Sequence, residues 1–97
     1  MTELQVIARY TISAGQQDEV LALLAKLIEA VREEPGNLAF TVYRQVGDDR
    51  EVVLLERYAS REALAAHRET AHFKDLVLGQ IVPRLDSRVV EIYDVTE

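Results

Sequence analysis

Val52-Val53-Leu54-Leu55-Glu56-Arg57-Tyr58 places four apolar residues in succession and then a carboxylate. A strand wet on one face alternates apolar and polar side chains, whereas one covered on both faces does not, so this run predicts a central strand. Gly47-Asp48-Asp49-Arg50, just before it, reads as a hairpin loop. Leu38 to Val46 is then the partner strand, with Ala39, Thr41, Tyr43 and Gln45 on one side and Phe40, Val42, Arg44 and Val46 on the other.

Outward from this hairpin the pattern continues in both directions. Leu4, Val6, Ala8, Tyr10 and Ile12 alternate with Gln5, Ile7, Arg9 and Thr11, a strand broken on its polar side by Ile7. Ser13 to Gln17 is a turn, and Asp18 and Glu19 suit the positive end of a helix running to about Glu34. Val20, Leu23, Leu24, Leu27, Ile28 and Val31 give it one apolar stripe, and Pro35-Gly36 ends it. On the other side, Ser60 is an N-cap for a helix from Arg61 to about Glu69. A break near Thr70-Ala71 leads to a helical stretch, Phe73 to Ile81, closed by Pro83, and Arg88 to Val95 alternates as a last strand.

This order predicts an α+β, ferredoxin-like βαββαβ domain spanning 1–97, with two helices on one face of a four-stranded antiparallel sheet. The other face is left bare, with Ile7, Val53, Leu55, Val90 and Ile92 as its expected apolar residues, and a homodimer that presses two sheets together would cover it.

Composition narrows the function. The chain is 48% apolar and 29% charged, as a globular protein requires, and its net charge of −6 repels a phosphate backbone, so nucleic acid is an unfavourable partner. The absence of cysteine removes thiol nucleophiles, iron–sulfur clusters and cysteine-based zinc sites. No apolar run is long enough to span a bilayer, and Met1-Thr2-Glu3 opens directly into the first strand, so the expected location is cytoplasmic and off the membrane. Nucleotide loops, nucleophile elbows and zinc-protease motifs are missing, which leaves a small pocket lined by apolar side chains, phenols and one or two imidazoles.

Within that pocket His67 is the best general base or donor by its ordinary pKa, although a satisfied, half-buried histidine fits its position equally well. His72, five residues on, reads as a solvated helix start. On one ideal helix the two would point about 140° apart, so no shared metal ion is expected. Glu56 lies in the most apolar strand, on the face of Val52, Leu54 and Tyr58, and must be paired, hydrogen-bonded or protonated. Arg9, Arg44 and Arg57 are its candidate partners in a structural ion pair. Tyr10, Tyr43, Tyr58 and Tyr93 add phenols to neighbouring strands.

Three stretches together carry a resemblance: Glu34-Pro35-Gly36-Asn37-Leu38-Ala39-Phe40, Leu55-Glu56-Arg57-Tyr58-Ala59-Ser60-Arg61-Glu62-Ala63-Leu64, and Ala66-His67-Arg68-Glu69-Thr70-Ala71-His72-Phe73. With the opening strand they cover almost the whole chain, which resembles the antibiotic biosynthesis monooxygenase family of dimeric α+β barrel proteins. The resemblance implies a homodimer through the sheet faces and a pocket between sheet and helices. It also implies oxygenation of a small quinol or polyphenolic aromatic without flavin, haem or metal. It makes His67 the pocket base or donor with His72 beside it, and Glu56 and Tyr43 substrate-orienting residues. Haem-degrading members carry an asparagine on the first strand, a tryptophan before the second helix and a later axial histidine. This chain lacks all three. Two other readings stand beside oxygenation. One is an isomerase or signal-processing enzyme acting on a small carbonyl compound, with Arg44 or Arg68 holding an anion. The other is a non-catalytic ligand-binding or stress-response dimer.

Overall fold

The structure, a computed structural model, describes residues 2–95; Met1, Thr96 and Glu97, at the ends of the expected 1–97 domain, lie outside the described residues. The chain runs β1 (Glu3–Ile12), α1 (Gln17–Arg32), β2 (Asn37–Arg44), β3 (Glu51–Tyr58), α2 (Arg61–Arg68), a π-helical segment (Phe73–Ile81), one 3-10 turn (Val82–Arg84) and β4 (Leu85–Val95). The strands form one sheet in the order β2-β3-β1-β4, with every neighbour antiparallel. This is the ferredoxin-like α+β arrangement, with β3 in the interior of the sheet as its apolar run requires.

Register decides which side chains meet the helices. Leu4, Val6, Ala8, Tyr10 and Ile12 of β1 are buried, as are Val52, Leu54, Glu56 and Tyr58 of β3. They pack against Val20, Leu23, Leu24, Leu27 and Val31 of α1 and Leu64 of α2. Two of the residues expected on the bare face do not lie there. Val90 pairs with Ala8 and Ile92 with Val6, so both point to the helix side. Strand β4 is apolar at Val89 and Tyr93 as well as at Val90 and Ile92, so alternation alone could not assign its faces; pairing with β1 does. The bare face carries Ile7, Val53 and Leu55 as expected, together with Tyr43, Val89 and Tyr93.

Local signals hold each element in place. The Ser60 hydroxyl accepts from the Ala63 N–H at 3.1 Å and caps α2. After Pro35, Gly36 accepts the Ala59 N–H through its carbonyl at 2.9 Å. A Cβ on Gly36 would lie 2.3 Å from the Cβ of Ala63, so only glycine lets the turn after α1 press against α2.

Candidate active site

Two buried clusters make up the core, a larger one under α1 and a smaller one of Leu4, Val6, Tyr58 and Leu64. Where they meet lies a cavity of about 30 Å³, walled by apolar side chains including Leu27, Phe40, Leu54 and Phe73. Its polar lining consists of Tyr10, Glu56, His67, Arg68 and Arg88.

Glu56 stands at the floor, 6% exposed, and its Oε1 accepts the Tyr58 hydroxyl at 2.8 Å. Burial pushes its carboxyl up to about 7, and the Tyr58 hydrogen bond only partly offsets this. Burial likewise raises the Tyr58 phenol, and the neighbouring Glu56 carboxylate adds to the effect. None of the expected arginine partners reaches Glu56. Arg9 pairs with Glu91, Arg57 donates to Gln5 and Glu3, and Arg44 donates to the Asp49 carbonyl. The cations whose charge it feels are Arg88, opposite Tyr10 across β1–β4, and Arg68 at the end of α2.

His67 hangs from the last turn of α2, 4% exposed, with its ring 5.0 Å from Tyr58 and edge-on to Phe73 at 5.1 Å. Its Nε2 faces the Glu56 carboxyl, 4.0 Å from Oε1. Its Nδ1 lies 2.9 Å from Oε2 and 3.1 Å from Oε1 of Glu34, in the turn after α1. Burial lowers the imidazole pKa, more than Glu34 raises it. Glu34 therefore fixes the ring while the apolar surroundings keep it neutral.

The second histidine overturns the geometry expected from spacing. Helix α2 stops at Arg68, and Thr70 turns the chain: its hydroxyl donates to the His67 carbonyl at 2.7 Å and accepts the Phe73 N–H at 3.2 Å. The redirected backbone brings His72 round so that its Nε2 meets Glu34 Oε2 at 2.6 Å. Two imidazoles thus converge on one carboxylate, and the 140° separation of an unbroken helix does not apply. His72 is hydrogen-bonded rather than merely solvated.

Of the residues singled out from the sequence, Glu56, His67 and Arg68 share the cavity, Tyr58 reaches it through Glu56, and His72 stands behind His67. Tyr43 lies on the bare face opposite Val53, and Arg44 is exposed at the hairpin end of β2, so neither meets the cavity of its own chain. Glu34, Arg88 and Tyr10 are the site residues that sequence reasoning did not select. Pro35-Gly36 after Glu34 was the available signal, since a tight stop anchors the residue before it.

Helices on one face of an antiparallel sheet, with a histidine-lined cavity between the layers, define a class of small α+β enzymes and binding proteins. The family model for antibiotic biosynthesis monooxygenase matches residues 4–77, and the chain belongs to that family. It is 32% identical over 66 residues to YcnE of Bacillus subtilis, covering 68% of this chain and 70% of that one. It is 38% identical over 68 residues to Rv0793 of Mycobacterium tuberculosis, covering 70% of this chain and 66% of that one. Both relatives are named as candidate monooxygenases. The structure of Rv0793 superposes with a TM-score of 0.89 over 98% of this chain and 96% of that one, at 30% identity. A crystal structure of an antibiotic biosynthesis monooxygenase superposes with a TM-score of 0.90 over 97% of this chain and 99% of that one, at 33% identity. No helix among the described residues is long and apolar enough to cross a membrane.

Proposed function

We propose that this protein is a monooxygenase that needs no resident cofactor and oxidises a small quinol or polyphenolic aromatic with dioxygen, as a cytoplasmic homodimer. The observation that carries this reading is the placement of His67, with Nδ1 held by Glu34 and Nε2 turned toward the cavity and the Glu56 carboxyl. With the Glu34 carboxylate accepting from Nδ1–H, the ring's free lone pair sits on Nε2.

A quinol hydroxyl at Nε2 gives its proton to the imidazole, and Glu34 stabilises the imidazolium that forms. The phenolate is electron-rich enough to pass an electron to dioxygen. Recombination forms a carbon–oxygen bond, and loss of water from the hydroperoxide completes the reaction. In balance, quinol and dioxygen give hydroxyquinone and water, and the quinol supplies all four electrons. Glu56, held near neutrality, and the Tyr58 hydroxyl behind it orient the second oxygen of the substrate, while Arg68 and Arg88 supply positive charge to the developing oxyanion. The apolar wall excludes water. A cavity of about 30 Å³ holds roughly one water molecule, so the ring of the substrate enters by displacing wall side chains such as Phe73. Association through Tyr43, Leu55, Val89 and Tyr93 covers the exposed apolar face.

Oxygen uptake with chemically reduced menadione tests the reading: consumption above autoxidation, with one atom of labelled dioxygen in the product, is the expected result. Uptake no faster than autoxidation across a panel of one-, two- and three-ring quinols contradicts it. A second reading, isomerisation of a small anionic carbonyl compound, draws on Arg68 and Arg88 in the same wall, and it predicts turnover without oxygen.

A further inference from the structure

Behind the cavity, the Nδ1 of His67, the Nε2 of His72 and a carboxylate oxygen of Glu34 lie within 4.8 Å of one another. From this convergence we propose that Glu34, His67 and His72 form a binding site for one divalent first-row transition metal ion, such as zinc. Two imidazoles and a carboxylate are a recurrent three-residue ligand set for such ions, leaving a further position for water. The three ligand atoms already converge, since both rings contact the same oxygen, Glu34 Oε2, at 2.9 and 2.6 Å, and each must give up its bridging proton to bind an ion. Ligands on one tetrahedral ion stand about 3.3 Å apart. An ion that replaces the bridging protons therefore moves each nitrogen outward from the shared oxygen by roughly 0.5 Å and draws the two nitrogens, now within 4.8 Å, toward each other.

The surroundings match those of a metal site. A histidine ligand usually offers its second nitrogen to a carboxylate, and the Nε2 of His67 faces Glu56 Oε1 at 4.0 Å. His67 is buried and Glu34 nearly so, with side chains 5% and 10% exposed, while His72 at 23% leaves an entry path from solvent. Arg68 is a cation whose charge His67 feels, and the net charge of −6 favours a cation overall. The ligands come from three separate elements: the turn after α1, the last turn of α2 and the start of the π-helical segment. A bound ion therefore ties the turn to both helices.

The ion lies on the far side of the His67 ring from the cavity, so it acts on the histidine and not on a substrate. With the metal on Nδ1, the ring's remaining proton sits on Nε2, and His67 becomes a donor that cannot accept a proton. On the oxygenase reading, metal loading thus switches off the base; that consequence rests on the proposed function, whereas binding itself does not.

Calorimetric titration of the chelator-treated, full-length protein with Zn2+ alone tests the site. The expected result is one ion per chain, with binding weakened more than about tenfold in His72→Ala and in Glu34→Gln and unchanged in the surface control Glu91→Gln. Two-bond proton–nitrogen spectra should show the zinc-dependent shift at Nδ1 of His67 and Nε2 of His72. No saturable binding, equal affinity in His72→Ala, or shifts at other nitrogens would overturn the proposal. His72 is partly exposed, so its variant decides the matter even where Glu34→Gln fails to fold. Failure of the oxygenase reading leaves the binding result standing, and quinol turnover in a chain that takes up no zinc removes this site alone.

Discussion

Glu56 and Arg57 are adjacent on β3, yet they live in different worlds. Glu56 points under the helices, where burial raises its carboxyl toward 7 and the Tyr58 hydroxyl is its hydrogen-bond donor. Arg57 points to the bare face, where it donates to Gln5 at 3.1 Å and Glu3 at 3.2 Å in reach of water. Polar groups on the covered face act through a low dielectric, and burial raises the pKa of Glu56, Tyr58 and Tyr10 and lowers that of His67. Those on the bare face are interleaved with exposed Tyr43, Leu55, Val89 and Tyr93 and hold ordinary surface pairs. The alternation of a single strand therefore separates a covered face with buried polar groups from an exposed face rich in apolar side chains.

That division can be broken from either side. Leu55 sits near the middle of the bare face, between Ile7 and Thr41. In a symmetric dimer Leu55→Asp places two carboxylates in the interface, and at on the order of 2 kcal/mol each the dissociation constant rises roughly a thousandfold. Sedimentation at several concentrations checks this, and an unchanged dimer would remove the face from the interface.

On the covered face, Glu56→Gln tests the buried carboxyl. Its folded-state pKa is raised from 4.5 to about 7, so the stability it contributes is fully present below about pH 4.5 and is lost as pH rises through 7. Relative to the wild type the amide should gain about 3 kcal/mol between pH 4.5 and 8. His67, whose pKa is lowered, works in the opposite sense by losing stability as pH falls below 6.5. Taking the variant against the wild type cancels that contribution, although Tyr58, Arg88, Arg68 and Glu34 also face the carboxyl. Urea unfolding at several pH values supplies the numbers.

A smaller effect is expected at Gly36→Ala. The new methyl meets Ala63, which should lower stability by about 1–3 kcal/mol, seen as a lower melting temperature, and part Glu34 from His67. Smallest of all, Glu91→Gln on the bare face breaks the exposed pair with Arg9 and should leave the melting temperature unchanged at physiological salt.

The order of elements was legible because each boundary has a local cause: Pro35-Gly36 after α1, Gly47-Asp48 in the hairpin, the Ser60 cap. The buried face of β3 was legible too, since Val52, Leu54 and Tyr58 fix the direction in which Glu56 points. What escaped depends on contacts between distant segments. Glu34 follows Glu33 and reads as one more solvated carboxylate; only the close approach of Gly36 to Ala63 brings it to His67. The meeting of His67 with His72 needs the Thr70 turn, which helical spacing cannot express. Arg88 enters the cavity wall through the β1–β4 register, and the apolar residues at both parities of β4 conceal that register.

The central claim is that His67 accepts the substrate's proton at the covered face. Its most direct test measures quinol-dependent oxygen uptake and thermal unfolding on one preparation each of the wild type and His67→Ala. Turnover per folded molecule should fall by about 10²–10⁴ in the variant. Unchanged turnover per folded molecule, with any loss matching the unfolded fraction, would make His67 a structural residue and contradict the account.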